Sequence, residues 1–264
     1  MANGSSNEVV LYELRDGVAK LTLNRPDRLN AWTADLEARY FGLLESCDGD
    51  PEVRVIVVTG AGKGFCAGAD MDMLRGIGSG AAPAHSDKPQ TFPLTIRKPL
   101  LAAINGACAG LGLVHALMCD LRFAAAGAKF TTAFVRRGLI AEHGSSWVLP
   151  RVVGPSRALD LLLSGRVVLA EEALSMGLVD RVVAPHDLQD TVAAYARDLA
   201  ANCSPAAMAA IKHQVYRHYE TDLATALRES NELMVASLKR PDFKEGVASF
   251  VERRGPRFAP LPKS

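Results

Sequence analysis

Apolar positions along this chain follow two rhythms, one of period two and one of period 3.6, and the switches between them outline its elements. Residues 9–14 and 17–23 read as a hairpin: Ala19, Leu21 and Leu23 alternate to one face, and Arg15-Asp16-Gly17 supplies the turn. Leu36, Tyr40, Leu43 and Leu44 recur at helical spacing, which predicts a helix from Thr33. The β-branched run at 53–59 predicts a strand closed by a glycine turn, with a short helix at 70–74 after it. Residues 75–95 are rich in Gly, Ala, Pro and Ser and lack periodicity. They read as a surface loop over a site, because strand-like sequence resumes at 100–104. A helix at 113–118 and a strand at 121–125 follow, then helices at 156–164 and 170–176 stopped by Gly165 and Gly177. Leu188, Val192, Tyr195, Ala196 and Leu199 form a helical stripe. Ser204-Pro205 then restarts a helix with an N-cap and a proline at its first position, and Asp242-Phe243-Lys244-Glu245 reads as a capping-box start. The order predicts an α/β core over 1–200 and a helical region over 201–264.

Composition narrows the partners. The 264 residues suffice for one large α/β unit with an appendage. Thirty Lys and Arg against 29 Asp and Glu leave no basic field to recruit nucleic acid or an anionic membrane. No apolar run approaches the roughly 18 residues of a membrane span. The five cysteines (Cys47, Cys66, Cys108, Cys119 and Cys203) fall singly, without metal-ligand spacing, and read as reduced thiols. Residues 1–7 carry neither a basic nor an apolar stretch of a secretory leader, so a cytoplasmic location is expected.

The chemistry concentrates in two glycine-rich turns, Gly64-Phe65-Cys66-Ala67-Gly68-Ala69-Asp70 and Asn105-Gly106-Ala107-Cys108-Ala109-Gly110-Leu111-Gly112. Each follows an apolar strand and opens into a helix. Taken singly, either reads as a tight strand–helix connection. Taken as a pair, they suit an oxyanion hole, because two backbone N–H groups converging on one oxygen stabilise developing negative charge without reorganising. Glycine lets the main chain come close enough to do this.

These turns, together with Leu23-Asn24-Arg25-Pro26-Asp27-Arg28-Leu29-Asn30-Ala31 and Cys119-Asp120, resemble the enoyl-CoA hydratase/isomerase (crotonase) superfamily. Gly165-Arg166, the stretch 170–178 and Arg240-Pro241-Asp242-Phe243-Lys244-Glu245-Gly246 are similar too, so the resemblance covers nearly the whole chain in order. It implies a spiral of ββα units, a C-terminal helical region that trimerises, trimers that often pair into hexamers, and acyl-CoA thioesters as substrates. Coenzyme A would enter as part of the substrate, with no separate cofactor and no metal. The resemblance places the two enolate-holding N–H groups on Ala69 and Leu111, where the family commonly has Gly at the second position. Ala67, Gly68, Asp70, Met71 and Gly110 are the neighbouring substrate or CoA positions, Asp70 also being a candidate helix cap. Arg28 matches a basic position beside the nucleotide.

The same comparison empties the acid–base positions. The two hydratase glutamates fall on Val114 and Phe134, which cannot supply the ~10²–10⁴-fold help of general acid–base catalysis. The next carboxylate is Glu142, at a position where some relatives carry a working Asp. A first-turn helix acid is the plainer reading of the same residue. His143 reads as a loop imidazole facing elsewhere and His115 as a core histidine; His85 lies in the loop. Cys66 and Cys108 read as packing residues. Arg97-Lys98, Lys244 and Arg253-Arg254 are further phosphate candidates or solvated charges, and Phe134, Trp147 and the 75–95 loop are expected to shape the acyl pocket. One carboxylate with an enolate hole suits an isomerase-like proton shuttle. Hydration by a non-standard route, C–C or thioester hydrolysis, and a non-catalytic acyl-CoA-binding trimer remain the alternatives.

Overall fold

The computed structural model describes residues 8–80 and 87–262, and His85 lies outside them. Among the described residues, ten strands form two sheets. The large sheet contains β1 (Val10–Arg15), β2 (Val18–Leu23), β3 (Val55–Gly60), β5 (Leu100–Ile104), β7 (Leu121–Ala125) and β10 (Arg181–Val183), in that spatial order. The small sheet orders β4 (Gly64–Cys66), β6 (Ala107–Ala109), β8 (Lys129–Thr131) and β9 (Val168–Leu169). Only β1–β2 and β8–β9 pair antiparallel; the rest are parallel. Asp16 and Gly17, at φ of 51° and 76°, make the two-residue hairpin turn whose twist matches its strands.

The chain repeats one unit. A strand of the large sheet leads into a short strand of the small sheet and then into a helix. This happens as β3–β4–α2 (Met71–Gly78), as β5–β6–α3 (Leu111–Leu117), and as β7–β8 followed by α4 (Ser145–Val153), after which come α5 (Pro155–Ser164) and α6 (Ala170–Ser175). These are the ββα turns of a spiral. Strand alternation divides the core between the two faces of the large sheet. Val55, Val57, Leu101, Ala103 and Phe123 face α7 (Leu188–Asn202), which buries Leu188, Val192, Ala196 and Ala200 against them. Ile56, Val58, Leu100, Ala102 and Ile104 face the other way, into the main core with α1 (Ala34–Gly49) and α3.

Beyond α7 the character changes. Helices α8 (Pro205–His218), α9 (Leu223–Leu238) and α10 (Pro241–Val251) bury only Pro205 and Ser249 between them. Tyr216 donates to Asp120 Oδ1 at 2.9 Å, and Lys212 pairs with Asp120 Oδ2 at 2.8 Å, which ties α8 to the sheet. Leu223, Phe250 and Val251 are 84%, 85% and 73% exposed, an outward apolar surface unlike that of the core helices. No helix among the described residues is long and apolar enough to cross a membrane.

Several expectations need correction. The helix predicted to end at Leu74 runs on to Gly78, capped by Asp70 and bridged by Arg75–Asp72 at 3.2 Å; Gly76 and Gly78 had masked its periodicity. The 75–95 segment also contains a 3-10 turn at Phe92–Thr95. The short strands β4, β6, β8, β9 and β10 have two or three residues each, too few for alternation to show. Asp242 does not cap α10. Arg240 holds the N-cap position without a side-chain bond, while Asp242 accepts from Ser204 and Glu245 pairs with Arg254 at 2.6 Å.

Candidate active site

The two glycine turns meet at the rim of a cavity of about 1030 Å³. Gly68 has φ of 96°, and a Cβ there would lie 2.9 Å from Ala109 O and 3.6 Å from Leu111 N, so the first turn packs directly on the second. The first turn is clamped on its other side. Trp32 N–H donates to Gly68 O at 2.8 Å, Asp70 N–H to Trp32 O at 2.9 Å, and Ala67 N–H to Leu29 O at 3.0 Å. Gly110, at φ of 50° and ψ of −119°, anchors the second turn by donating to Thr131 O at 3.0 Å. Between these clamps, neither the Ala69 N–H nor the Leu111 N–H donates to an acceptor among the described residues, and both residues line the cavity. Leu111 opens α3, so its N–H carries the positive end of the helix dipole. Two free donors at one opening can hold an anionic oxygen.

Ionisable side chains also form part of the cavity wall. Glu142 and His143 both line the cavity, with His143 Nε2 3.7 Å from Glu142 Oε2. His143 therefore does not face elsewhere: its φ of 56° turns the chain so that neighbouring side chains share one opening. Phe134 lines the same wall. Val114 does not, being packed into the core on α3. A polar chain runs from the cavity wall into the core. Trp32 Nε1 donates to Glu37 Oε2 at 2.9 Å, Gln90 Nε2 donates to the same oxygen, and Gln90 Oε1 pairs with His115 Nε2 at 3.0 Å. The His115 ring stacks on Trp32 with centroids 3.9 Å apart. Burial, and then the nearby His143 charge, push its pKa down to about 3, so the ring is neutral and Nε2 carries the proton given to Gln90.

This fold has relatives. The family model for enoyl-CoA hydratase/isomerase matches residues 13–260. The chain belongs to the enoyl-CoA hydratase/isomerase family. It is 36% identical over 258 residues to the 1,2-epoxyphenylacetyl-CoA isomerase of Escherichia coli (strain K12), spanning 95% of this chain and 98% of that one. An enoyl-CoA hydratase of Mycobacterium tuberculosis H37Rv superposes with a TM-score of 0.89 at 32% identity, covering 96% and 99% of the two chains. An enoyl-CoA hydratase of Mycobacterium marinum shares 53% identity with a TM-score of 0.69, covering 80% of this chain and 98% of the other.

In this hydratase/isomerase chain, Ala67, Gly68, Ala69, Gly110, Leu111, Phe134 and Glu142 come together around one cavity. Three other predicted positions do not line it. Asp70 caps α2 through Asp72 N–H at 3.0 Å and pairs with Arg25 at 2.9 Å; the Asp72 amide and then the guanidinium hold its carboxyl below the usual range. Met71 is half exposed, and Arg28 reaches Asp72 at 3.8 Å with most of its side chain in solvent. Trp147 stacks under Arg151 and meets Tyr219 edge-on instead of lining the cavity. Arg97 pairs with Asp48 at 2.7 Å, Lys98 is buried on the carbonyls of Cys47 and Asp50, and Arg254 is held by Glu245 and Glu252. Cys66 and Cys108 are buried thiols whose pKa burial drives up, to about 12 for Cys66.

Sequence reasoning missed Arg25, Trp32, Glu37 and Gln90. Arg25 steadies the residue next to Ala69, and Trp32 holds the Ala69 turn by its backbone while its indole holds Glu37. A tryptophan just before a helix N-cap, with an acid five residues on, was the one available signal.

Proposed function

We propose that this family member acts on acyl-CoA thioesters by moving a proton at Cα. In this reading the Ala69 and Leu111 N–H groups hold the thioester oxygen, and Glu142 is the base. Glu142 takes the proton from Cα of a 3-enoyl thioester, the electron pair delocalises onto the held oxygen, and the same carboxylate returns the proton to Cγ. The product is the 2-enoyl thioester. The observation that carries this is the company Glu142 keeps: it shares one cavity with two unpaired N–H donors, while position 134 is an apolar wall and position 114 is core. The enzyme so built uses Glu142 as its working carboxylate, with His143 Nε2 3.7 Å away to orient or relay.

Assay of the purified protein on 2-enoyl-CoA and 3-enoyl-CoA, with and without Glu142→Gln, tests the proposal. Isomerisation that collapses in the variant supports it. Rapid hydration of the 2-enoyl substrate that survives Glu142→Gln overturns it. Relatives named enoyl-CoA hydratase favour a second reading, in which Glu142 activates water instead; that route predicts hydration lost in the same variant. We also infer that the apolar faces of α8, α9 and α10 are covered by neighbouring copies in a homotrimer, which often pairs into a hexamer in this superfamily. Their exposure supports this reading.

A further inference from the structure

Glu37, near the start of α1, is a buried acid that the proton transfer leaves unused: it is only 7% exposed, yet it borders the cavity. Its Oε2 takes both available donors, the Trp32 indole N–H and the Gln90 amide, and Gln90 is occupied at its other end by His115. Two donors on one oxygen fix the rotamer and leave Oε1 without a partner among the described residues. The cavity also presents Trp32, Ala34, Ala38, Leu74 and Ile77, apolar side chains in keeping with an acyl chain, beside the polar Thr33, Asp35 and Thr91. A hydrocarbon lying there would strip water from a carboxylate oxygen and return nothing.

A carboxylate oxygen accepts and does not donate. An acyl group ending in a second carboxylate would meet like charge. A cationic group would meet Lys88, which lines the same wall and pairs with Glu45 at 2.6 Å. A neutral donor satisfies the site. Resting on the reading of the cavity as an acyl-CoA site, we propose that it selects acyl chains bearing a hydroxyl, whose O–H donates to Glu37 Oε1.

Calorimetric titration tests this with saturated straight-chain acyl-CoA thioesters and their terminal-hydroxy counterparts, matched carbon for carbon over a range of lengths. Saturated ligands separate binding from turnover. At the length that reaches Glu37, the hydroxy ligand binds roughly tenfold tighter, the worth of one hydrogen bond to a charged group. That preference vanishes in Glu37→Leu and weakens in Glu37→Gln, which keeps the shape and an acceptor if the leucine variant does not fold. Equal binding of both series at every length overturns the hydroxyl selection while leaving the acyl-CoA reading standing. So does a preference that persists in both folded variants. Binding of neither series overturns the acyl-CoA reading itself, and this proposal with it.

Discussion

Replacing Gly68 by Ala is a direct way to disturb the donor pair without touching a polar side chain. The backbone there has φ of 96°, and the new methyl would sit 2.9 Å from Ala109 O, 3.5 Å from its carbonyl carbon and 3.6 Å from Leu111 N. The positive φ costs roughly 1–3 kcal/mol. For a chain of this size each kcal/mol lowers Tm by roughly 2–4 °C, so a fall of about 2–12 °C is expected. The contact with Ala109 pushes the two turns apart by a few tenths of an ångström, and Ala69 and Leu111 move with them. Losing one donor of an oxyanion hole costs roughly 10²–10³-fold in kcat, and turnover should fall by about 10²-fold with KM little changed. Gly127→Ala supplies the control: its φ is 79°, but nothing lies within 4 Å of the added methyl, so Tm falls and turnover stays. Differential scanning calorimetry and steady-state kinetics on both variants read the two effects apart. A Gly68→Ala enzyme that loses stability yet keeps full turnover would refute the placement of the donors.

Two further outcomes follow, one from a buried ring and one from an exposed one. His115 is neutral in the fold, with its pKa near 3 against ~6.5 unfolded, so between those values the unfolded chain binds one more proton. Stability therefore rises with pH across that window, by up to about 1.4 kcal/mol per pH unit from this ring, and is lost on acidification below ~6.5. Urea denaturation from pH 4 to 7 should show this slope in the wild type and a shallower one in His115→Gln; identical slopes would contradict a buried neutral ring. Phe250, 85% exposed on α10, is expected to lose its covering in an assembly when replaced by Glu. Light scattering should then find a trimer or hexamer for the wild type and single chains for the variant, and an unchanged mass would remove α10 from the interface.

The long elements were legible because each has a dominant period. Leu36, Tyr40 and Leu44 fixed α1, and Thr33 and Ser204 announced their helices by the caps they form. The small sheet was invisible for the opposite reason, since Gly64–Cys66 and Ala107–Ala109 are too short to alternate and sit inside glycine turns. At the site, the glycine turns and the emptied positions 114 and 134 lead from sequence to Ala69, Leu111 and Glu142, and all three line one cavity. Side-chain chemistry assembled from distant segments was not legible in this way. Glu37 looks like any acid in a first helical turn until Trp32 and Gln90, 53 residues apart from it in the latter case, close around its oxygen. Arg25 likewise reaches Asp70 across 45 residues. His143 was misread because its left-handed backbone, which brings it to the cavity beside Glu142, carries no mark in the sequence.

The central claim is that two backbone donors and Glu142 together make Cα acidic and exchange its proton. Incubating the enzyme with a saturated acyl-CoA in deuterium oxide and following Cα by mass spectrometry tests it without reference to any product. The account predicts deuterium incorporation by the wild type that falls at least 10²-fold in Glu142→Gln, in line with the loss of a general base. Tight binding of the thioester with no exchange at any chain length, or exchange undiminished in Glu142→Gln, would contradict it.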